Sequence, residues 1–117
     1  MYNNVEVGSY GQKLAERYIS DEGFHIIERN FRCRSGEIDL VARDGDYIVF
    51  IEVKYRRSLE YGYPCEAVGY HKQRHIKRVA QYYIMIKNLN NQDFRFDILE
   101  IIDNAENPEI NLIKNAF

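Results

Sequence analysis

Two apolar runs joined by a short polar segment constrain the fold of this chain more than any other feature. Residues 37–43 and 47–54 are rich in Ile, Val, Leu and Phe, which favour β-strands. Asp44, Gly45 and Asp46 separate the two runs, and an Asp-Gly pair is typical of the tight turn between antiparallel strands. The pattern predicts a β-hairpin, around which the other elements must be arranged.

Helical spacing of apolar residues predicts two helices. The first covers residues 11–22 and is ended by Gly23, and the second runs from residue 65 to about residue 88. β-forming residues predict further strands at 24–31, 94–102 and 110–113, with loops at 58–64 and 103–108.

The resulting order, αβββαββ, predicts an α/β fold in which helices flank one mixed central sheet. A length of 117 residues fits a single domain spanning residues 1–117.

Charged residues interrupt the apolar pattern of the hairpin. Because side chains alternate between the two faces of a strand, Ile38, Leu40 and Ala42 should share a wholly apolar face, and Asp39 should lie on the other. A two-residue turn at Asp44 and Gly45 would set Asp39 across from Phe50 and diagonal to Glu52. Both carboxylates and Lys54 should then lie on one face.

Two converging carboxylates beside apolar strands repel each other unless a cation compensates their charge. Mg²⁺ prefers a few carboxylate oxygens, waters and a substrate phosphate, and it assists phosphodiester hydrolysis by acidifying water and neutralising phosphoryl charge. We therefore expect Asp39, Glu52 and the carbonyl of Val53 as metal ligands. Lys54 would orient or deprotonate the attacking water, or hold the phosphate. The alternative is a solvated cross-strand ion pair.

Basic residues are concentrated in one segment of a chain whose net charge is −2. Between Lys54 and Arg78 there are seven Lys or Arg residues and two Glu residues. This segment predicts contacts with the phosphates of a nucleic acid, made by Arg56, Lys72, Arg74 and Arg78. A solvated helix face is the alternative.

A zinc site is a second chemical alternative. Cys33 and Cys65 could ligate a metal with His71 and His75, which are four residues apart on the second predicted helix, although the two cysteines lack paired spacing. No run of about 18 apolar residues is present, and the start of the chain lacks a signal-peptide pattern. These features predict a cytoplasmic protein without membrane contact.

An Asp, a hairpin and then Glu-x-Lys at the end of an apolar strand resemble the active-site motif of the PD-(D/E)XK nuclease superfamily. Residues 36–40 (GEIDL) and 50–54 (FIEVK), with Gly11, Gly23 and Lys72, look like the uncharacterised YraN-type bacterial family. This resemblance implies a restriction-endonuclease-like core similar to that of archaeal Holliday junction resolvases. It also implies DNA as the substrate, with Mg²⁺ or Mn²⁺ as the cofactor.

The resemblance adds accessory residues and one departure. The family usually has Glu, a further candidate metal ligand, where this chain has Gln12, which offers a carbonyl oxygen without charge. Glu16 lies one helical turn further on and could substitute for it. Glu37 is a candidate accessory residue that a salt bridge to an Arg would explain equally well, and the family pattern retains Lys72.

Three functions follow from these observations. The first is a metal-dependent endonuclease cleaving phosphodiester bonds in DNA, including branched or junction DNA. The second, motivated by Gln12, is a nucleic-acid-binding module with a weakened or inactive nuclease site. The third is an assembly or scaffold protein. Resolvases of this fold act as dimers on symmetric junctions, so the resemblance also implies a homodimer.

Overall fold

The elements of the chain, taken from a computed structural model, follow the predicted order αβββαββ. The structure describes residues 4–56, 69–103 and 107–117, with side chains from residue 9 onward. Its elements are α1 (Asn4–Asp21), β1 (His25–Cys33), β2 (Gly36–Asp44), β3 (Tyr47–Arg56), α2 (Tyr70–Ile86), β4 (Asp93–Ile102) and β5 (Glu109–Ile113). The predicted loop at 58–64, the predicted helical residues 65–68 and residues 104–106 of the last loop lie outside the described residues.

Helix α1 begins at Asn4, seven residues before the predicted start at Gly11. Extending an existing helix adds one hydrogen bond for each residue fixed, so extension costs far less than nucleation. The ring of Tyr10 also packs edge-to-face on Tyr55 of β3, with centroids 5.9 Å apart. This tertiary contact stabilises the added turns. The spacing of apolar residues within the helix could not predict it.

Both helices end in the same motif. After α1, the N–H of Phe24 donates to the carbonyl of Ile19 at 2.9 Å, and Gly23 has a positive φ of 93°. After α2, the N–H of Leu89 donates to the carbonyl of Ile84 at 3.0 Å, and Asn88 has a φ of 57°. These are Schellman caps, which favour Gly or Asn at the left-handed position, so the predicted helix ends are confirmed.

The strands form one mixed sheet in the order β1-β2-β3-β4-β5. Strands β3 and β4 are parallel, and the other neighbouring pairs are antiparallel. A parallel pair needs a crossover between its strands, and α2 lies within the connection from β3 to β4. The prediction of a mixed sheet flanked by helices is therefore confirmed.

One helix covers each face of the sheet. Ala15 and Ile19 of α1 pack in a cluster that includes Leu40, Ile51 and Leu99, which we call the α1 face. On the other side, α2 contributes to a second cluster, the α2 face, whose buried members are Ile38, Val41, Ile48, Phe50, Ile76, Val79, Ala80 and Tyr83. Because both faces are buried, the central strands read as nearly continuous apolar runs. No helix in the described ranges is long and apolar enough to cross a membrane.

The turn of the β2–β3 hairpin differs from the predicted one by a single residue. Asp44 pairs with Tyr47, so Gly45 and Asp46 form the two-residue turn, and Gly45 supplies a φ of 60°. Continuing this register places Asp39 opposite Glu52, and the predicted position opposite Phe50 is wrong. The shift in pairing is two residues, which keeps each side chain on its original face.

The predicted wholly apolar face of β2 is also wrong at one position. Ile38 packs on the α2 face, whereas Leu40 packs on the α1 face. In the ladder with β1, Leu40 pairs with Arg29 and Ile38 pairs with Phe31. Asn30 lies between these two β1 residues and has a φ of 51°. Side chains therefore do not alternate strictly between the two faces of the sheet at this point of β1 and β2. Asp39 therefore lies where the backbone of the sheet is locally irregular.

Candidate active site

Asp39 lies where β2 and β3 separate. The last residues paired between these strands are Leu40 and Ile51, whereas β3 continues beside β4 as far as Arg56. Beyond the last pair, the N–H of Val53 donates to Oδ2 of Asp39 at 2.8 Å. The carboxylate thus takes the position of the next ladder acceptor, and the backbone of β3 fixes its orientation.

Glu52 brings a second carboxyl group to the same point. It lies between Ile51 and Val53, which pack on the α1 face, so alternation directs Glu52 to the α2 face. It is only 7% exposed. The structure therefore brings Asp39 and Glu52 together, as the sequence predicts, although by a different register.

Burial and the neighbouring Glu52 perturb the ionisation of Asp39. The pKa of Asp39 rises from 3.8 to about 8, chiefly because burial disfavours its charged form, and then because of the hydrogen bond with Glu52 and the charge of that residue. The N–H of Val53 opposes this rise, and Glu37 adds to it. Asp39 therefore needs a proton or a compensating cation near neutral pH, because burial and an adjacent carboxylate disfavour its ionised form.

The carbonyl of Val53 faces the same gap. In an antiparallel ladder, the N–H and C=O of one residue point to the same neighbouring strand. Since the N–H of Val53 donates toward β2, its carbonyl oxygen points to the side on which Asp39 lies. This geometry supports the predicted backbone ligand.

Lys72 of α2 approaches Glu52 from above the sheet. Its Nζ lies 3.3 Å from Oε2 of Glu52. Oε2 is buried and has no hydrogen-bond partner among the residues that the structure describes, so the contact is a charge pairing without hydrogen-bond geometry. Sequence patterns singled out Lys72 as a phosphate contact, but could not reveal that it reaches a predicted metal ligand.

Lys54 shares the α2 face with Glu52, because Val53 and Tyr55 pack against the α1 face. The Lys54 side chain is half-buried. None of the ion pairs found in the described ranges includes it.

Glu100 is a neighbouring acid that the sequence analysis missed. It pairs with Lys54 across the parallel β3–β4 register, is 7% exposed, and accepts a hydrogen bond from Asn111 Nδ2 at 3.4 Å. The only sequence signal was one acid within the apolar strand 98–102. Its proximity to Lys54 depends on the parallel pairing, which local patterns do not encode.

The accessory residues fall into two groups. Glu37 forms a 3.2 Å ion pair with Arg32, which is the salt bridge to an Arg that the sequence analysis gave as its alternative role. Its charge also raises the pKa of Asp39. On α1, Gln12 donates to Glu16 at 3.3 Å, and Glu16 accepts from Arg29 at 2.7 Å. This helix covers the face opposite Glu52, so the structure does not bring Gln12 or Glu16 against the two carboxyls.

The predicted phosphate-binding residues lie on two elements of the α2 face. Lys72, Arg74 and Arg78 are exposed along α2, and the guanidinium of Arg74 lies 5.6 Å from the centroid of the Tyr70 ring. Arg56 is at the end of β3, on the face that bears Glu52 and Lys54. These cations therefore lie on the side of the sheet to which Glu52 points.

Comparison with known proteins identifies the family. The model of the uncharacterised protein family UPF0102 matches residues 11–101. The chain belongs to the UPF0102 family. Its relatives include UPF0102 proteins of Clostridium acetobutylicum, 51% identical over 97% of this chain and 95% of the relative, and of Caldicellulosiruptor saccharolyticus, 48% identical over 98% and 99%. A third, from Clostridium botulinum, is 50% identical over 99% and 97%.

The predicted YraN-type resemblance is thus confirmed at the level of the family. The names of these UPF0102 relatives assign no activity, so membership of the nuclease superfamily stays a prediction. In this UPF0102 chain, the geometry of Asp39, Glu52 and Lys54 is the feature that indicates a chemistry.

The donor set of this UPF0102 chain fits a hard divalent cation. Mg²⁺ takes a few oxygen ligands from protein. This site offers the carboxyl groups of Asp39 and Glu52 and the backbone carbonyl of Val53. Oε2 of Glu52 is buried without a hydrogen-bond partner among the described residues. No group of three or more His, Cys, Asp or Glu side chains arranged to hold a metal occurs in the described part of the chain. Of the residues considered for zinc, Cys33 is half-buried, His71 and His75 are exposed on α2, and Cys65 lies outside the described residues.

Proposed function

We propose that this chain is a divalent-metal-dependent endonuclease with a restriction-endonuclease-like core, which cleaves phosphodiester bonds in DNA, including branched or junction DNA. One observation carries the proposal: Asp39 is fixed by a backbone N–H beside the buried Glu52, and Oε2 of Glu52 has no hydrogen-bond partner among the described residues. An ion pair between Asp39 and Glu52 cannot explain this arrangement, because both groups are acids and the charge of Glu52 disfavours ionisation of Asp39. Lys72 supplies one positive charge, which lies beside Glu52.

Asp39, Glu52 and the carbonyl of Val53 would hold Mg²⁺ or Mn²⁺. Bound there, the ion would supply Lewis acidity for phosphodiester hydrolysis. Lys54 is on the same face, without an ion-pair partner among the described residues. Its ammonium group can hold a non-bridging phosphate oxygen, or its neutral amine can accept a proton from the attacking water.

Lys72 has a separate role in this proposal. In the metal-free protein it compensates the charge of Glu52 at 3.3 Å. When a divalent cation takes over that compensation, the ammonium group of this exposed side chain is released toward the DNA backbone. Lys72 then adds to the basic surface formed with Arg74 and Arg78, which supplies the electrostatic part of DNA binding.

The first experiment is a cleavage assay on single-stranded, duplex, flap and four-way-junction DNA, each with Mg²⁺, Mn²⁺ or chelator. We expect cleavage that requires the cation, and Lys54→Met should lower its rate by about 10²- to 10⁴-fold, the range for loss of a positioned proton-transfer group. Lys13→Met, at an exposed lysine of α1, is the matched control and should cleave normally. Absence of cleavage for every DNA form would contradict the proposal.

A nucleic-acid-binding module with an inactive site is the second candidate function. The observation that favours it is Lys72, since a resident ammonium group at 3.3 Å already compensates Glu52. Gln12 also lacks the charge that the family resemblance implies at this position of α1. DNA binding that survives chelation, without cleavage in either metal, would select this function, and absence of DNA binding at low salt would indicate a scaffold protein instead.

A further inference from the structure

Arg56 carries a buried polar edge that has no partner among the described residues. It is the last residue of β3, and its side chain is half-buried. Nε and Nη2 are both buried, and neither has a hydrogen-bond partner in the part of the chain that the structure describes. A buried donor without an acceptor is costly, and more so when it belongs to a charged group.

The identity of the two nitrogens defines the missing acceptor. Nε–H and one N–H of Nη2 lie on the same edge of the planar guanidinium group and point in the same direction. This fork matches two oxygens of one phosphate or carboxylate group, which it binds through parallel charge-assisted hydrogen bonds. A single oxyanion would satisfy both orphaned donors at once.

The nearest acids on β4 and just after it are engaged with other residues. The N–H of Asp103 donates to the carbonyl of Arg56 at 2.8 Å, but its carboxylate accepts from the hydroxyl of Tyr55 at 2.5 Å. Glu100 accepts from Asn111. Strand pairing therefore fixes the backbone of Arg56, while the two buried nitrogens of its fork have no acceptor among the described residues.

The position of the fork indicates which anion it takes. A strand rises about 3.3 Å per residue, and alternate residues share a face, so Arg56 follows Lys54 by about 7 Å and Glu52 by about 13 Å on the α2 face. A nucleic-acid strand whose reacting phosphate lay beside Lys54 would carry its next phosphates along this line.

We infer that Arg56 is a second phosphate-binding site, which grips a phosphodiester of the substrate strand adjacent to the one that is cleaved. This inference rests on the proposed function for its substrate, but the fork acts in binding and not in the chemical step. It can therefore be tested without cleavage.

The experiment measures binding of fluorescein-labelled four-way-junction DNA in chelator, over a series of NaCl concentrations, by fluorescence anisotropy. We expect Arg56→Gln to weaken affinity about ten- to hundredfold, as for the loss of charge-assisted hydrogen bonds. The slope of log affinity against log salt should become shallower by about 0.9, the value for one phosphate contact. Arg56→Lys should recover the slope but not the affinity, because it keeps the charge and loses the fork.

Two controls separate binding from folding and from general charge. Arg17→Gln, at an exposed arginine of α1 on the opposite side of the sheet, removes the same charge and should leave affinity nearly unchanged. Arg56→Gln should melt no lower than the unaltered protein in chelator, because it removes buried donors that have no acceptor. Inorganic phosphate stabilises folded proteins generally relative to chloride, so at equal ionic strength the rise in melting temperature should be larger for the unaltered protein than for Arg56→Gln.

Each outcome decides the inference. Unchanged affinity and salt slope for Arg56→Gln would overturn it, and so would a phosphate-dependent melting shift without any effect of the substitution on DNA binding. Arg56-dependent binding by a chain that cleaves no DNA form would support the phosphate site and contradict only the endonuclease proposal.

Discussion

Replacing Asp39 by Asn should stabilise the metal-free protein, and increasingly so as the pH rises. The folded state raises the pKa of Asp39 from 3.8 to about 8, so between these values the folded chain retains a proton that the unfolded chain has released. Raising the pH then lowers the free energy of unfolding, by at most about 1.4 kcal/mol per pH unit for one proton. The stabilisation from the raised pKa is complete below pH 3.8 and is lost as the pH approaches 8.

The amide introduced by Asp39→Asn would keep the local hydrogen bonds without this pH dependence. Its oxygen can accept from the N–H of Val53, and its NH₂ group can donate to Glu52. A single isolated carboxyl group would lose about 4 kcal/mol by pH 7, but Asp39 is only half-buried, so screening by solvent reduces this value. We therefore expect Asp39→Asn to be about 1 to 3 kcal/mol more stable at pH 7.5 and nearly equal to the unaltered protein at pH 4.

The assay is urea unfolding in chelator at pH 4, 5.5, 6.5 and 7.5, followed by far-UV circular dichroism. Asp46→Asn, at an exposed residue of the hairpin turn, is the matched control and should parallel the unaltered protein. Saturating Mn²⁺ should reverse the order at pH 7.5, because a cation bound only to the folded state adds stability that Asp39→Asn should largely lose. A stability difference between Asp39→Asn and the unaltered protein that stays constant from pH 4 to 7.5 would refute this reasoning.

Two further substitutions test the charges around and away from the site. Lys72→Met should tighten Mn²⁺ binding about two- to fivefold, because the cation no longer competes with a partly exposed ion pair between Lys72 and Glu52. Isothermal titration calorimetry measures this affinity, with Lys13→Met as the control. Unchanged or weaker binding by Lys72→Met would contradict the prediction. Asp97→Asn should cost about 3 kcal/mol of unfolding free energy in urea, because it leaves the guanidinium of Arg95 buried with less compensation. Asp97 is fully buried and accepts from Arg95 and from the N–H of Asn115, so a loss below about 1 kcal/mol would show that these contacts contribute little.

The sequence predicts the elements that depend on neighbouring residues. The hairpin follows from two β-forming runs around a Gly-containing turn, and the end of α1 follows from Gly23, which adopts the left-handed conformation that other residues resist. The element order is confirmed for the same reason. The mixed sheet is also confirmed, because the predicted helix between β3 and β4 supplies the crossover that a parallel pair needs. Even the wrong turn left Asp39 and Glu52 on one face, because the pairing moved by two residues and the side-chain period is two.

Only the tertiary structure decided how the candidate site is completed. The parallel pairing of β3 with β4 places Glu100 beside Lys54, and the packing of α2 carries Lys72 to Glu52. The irregular backbone at Asn30 and Asp39, and the orphaned fork of Arg56, likewise have no local sequence signal. Side-chain spacing fixes which face of an element is apolar, but the contacts between elements distant in sequence depend on how those faces pack and which strands pair.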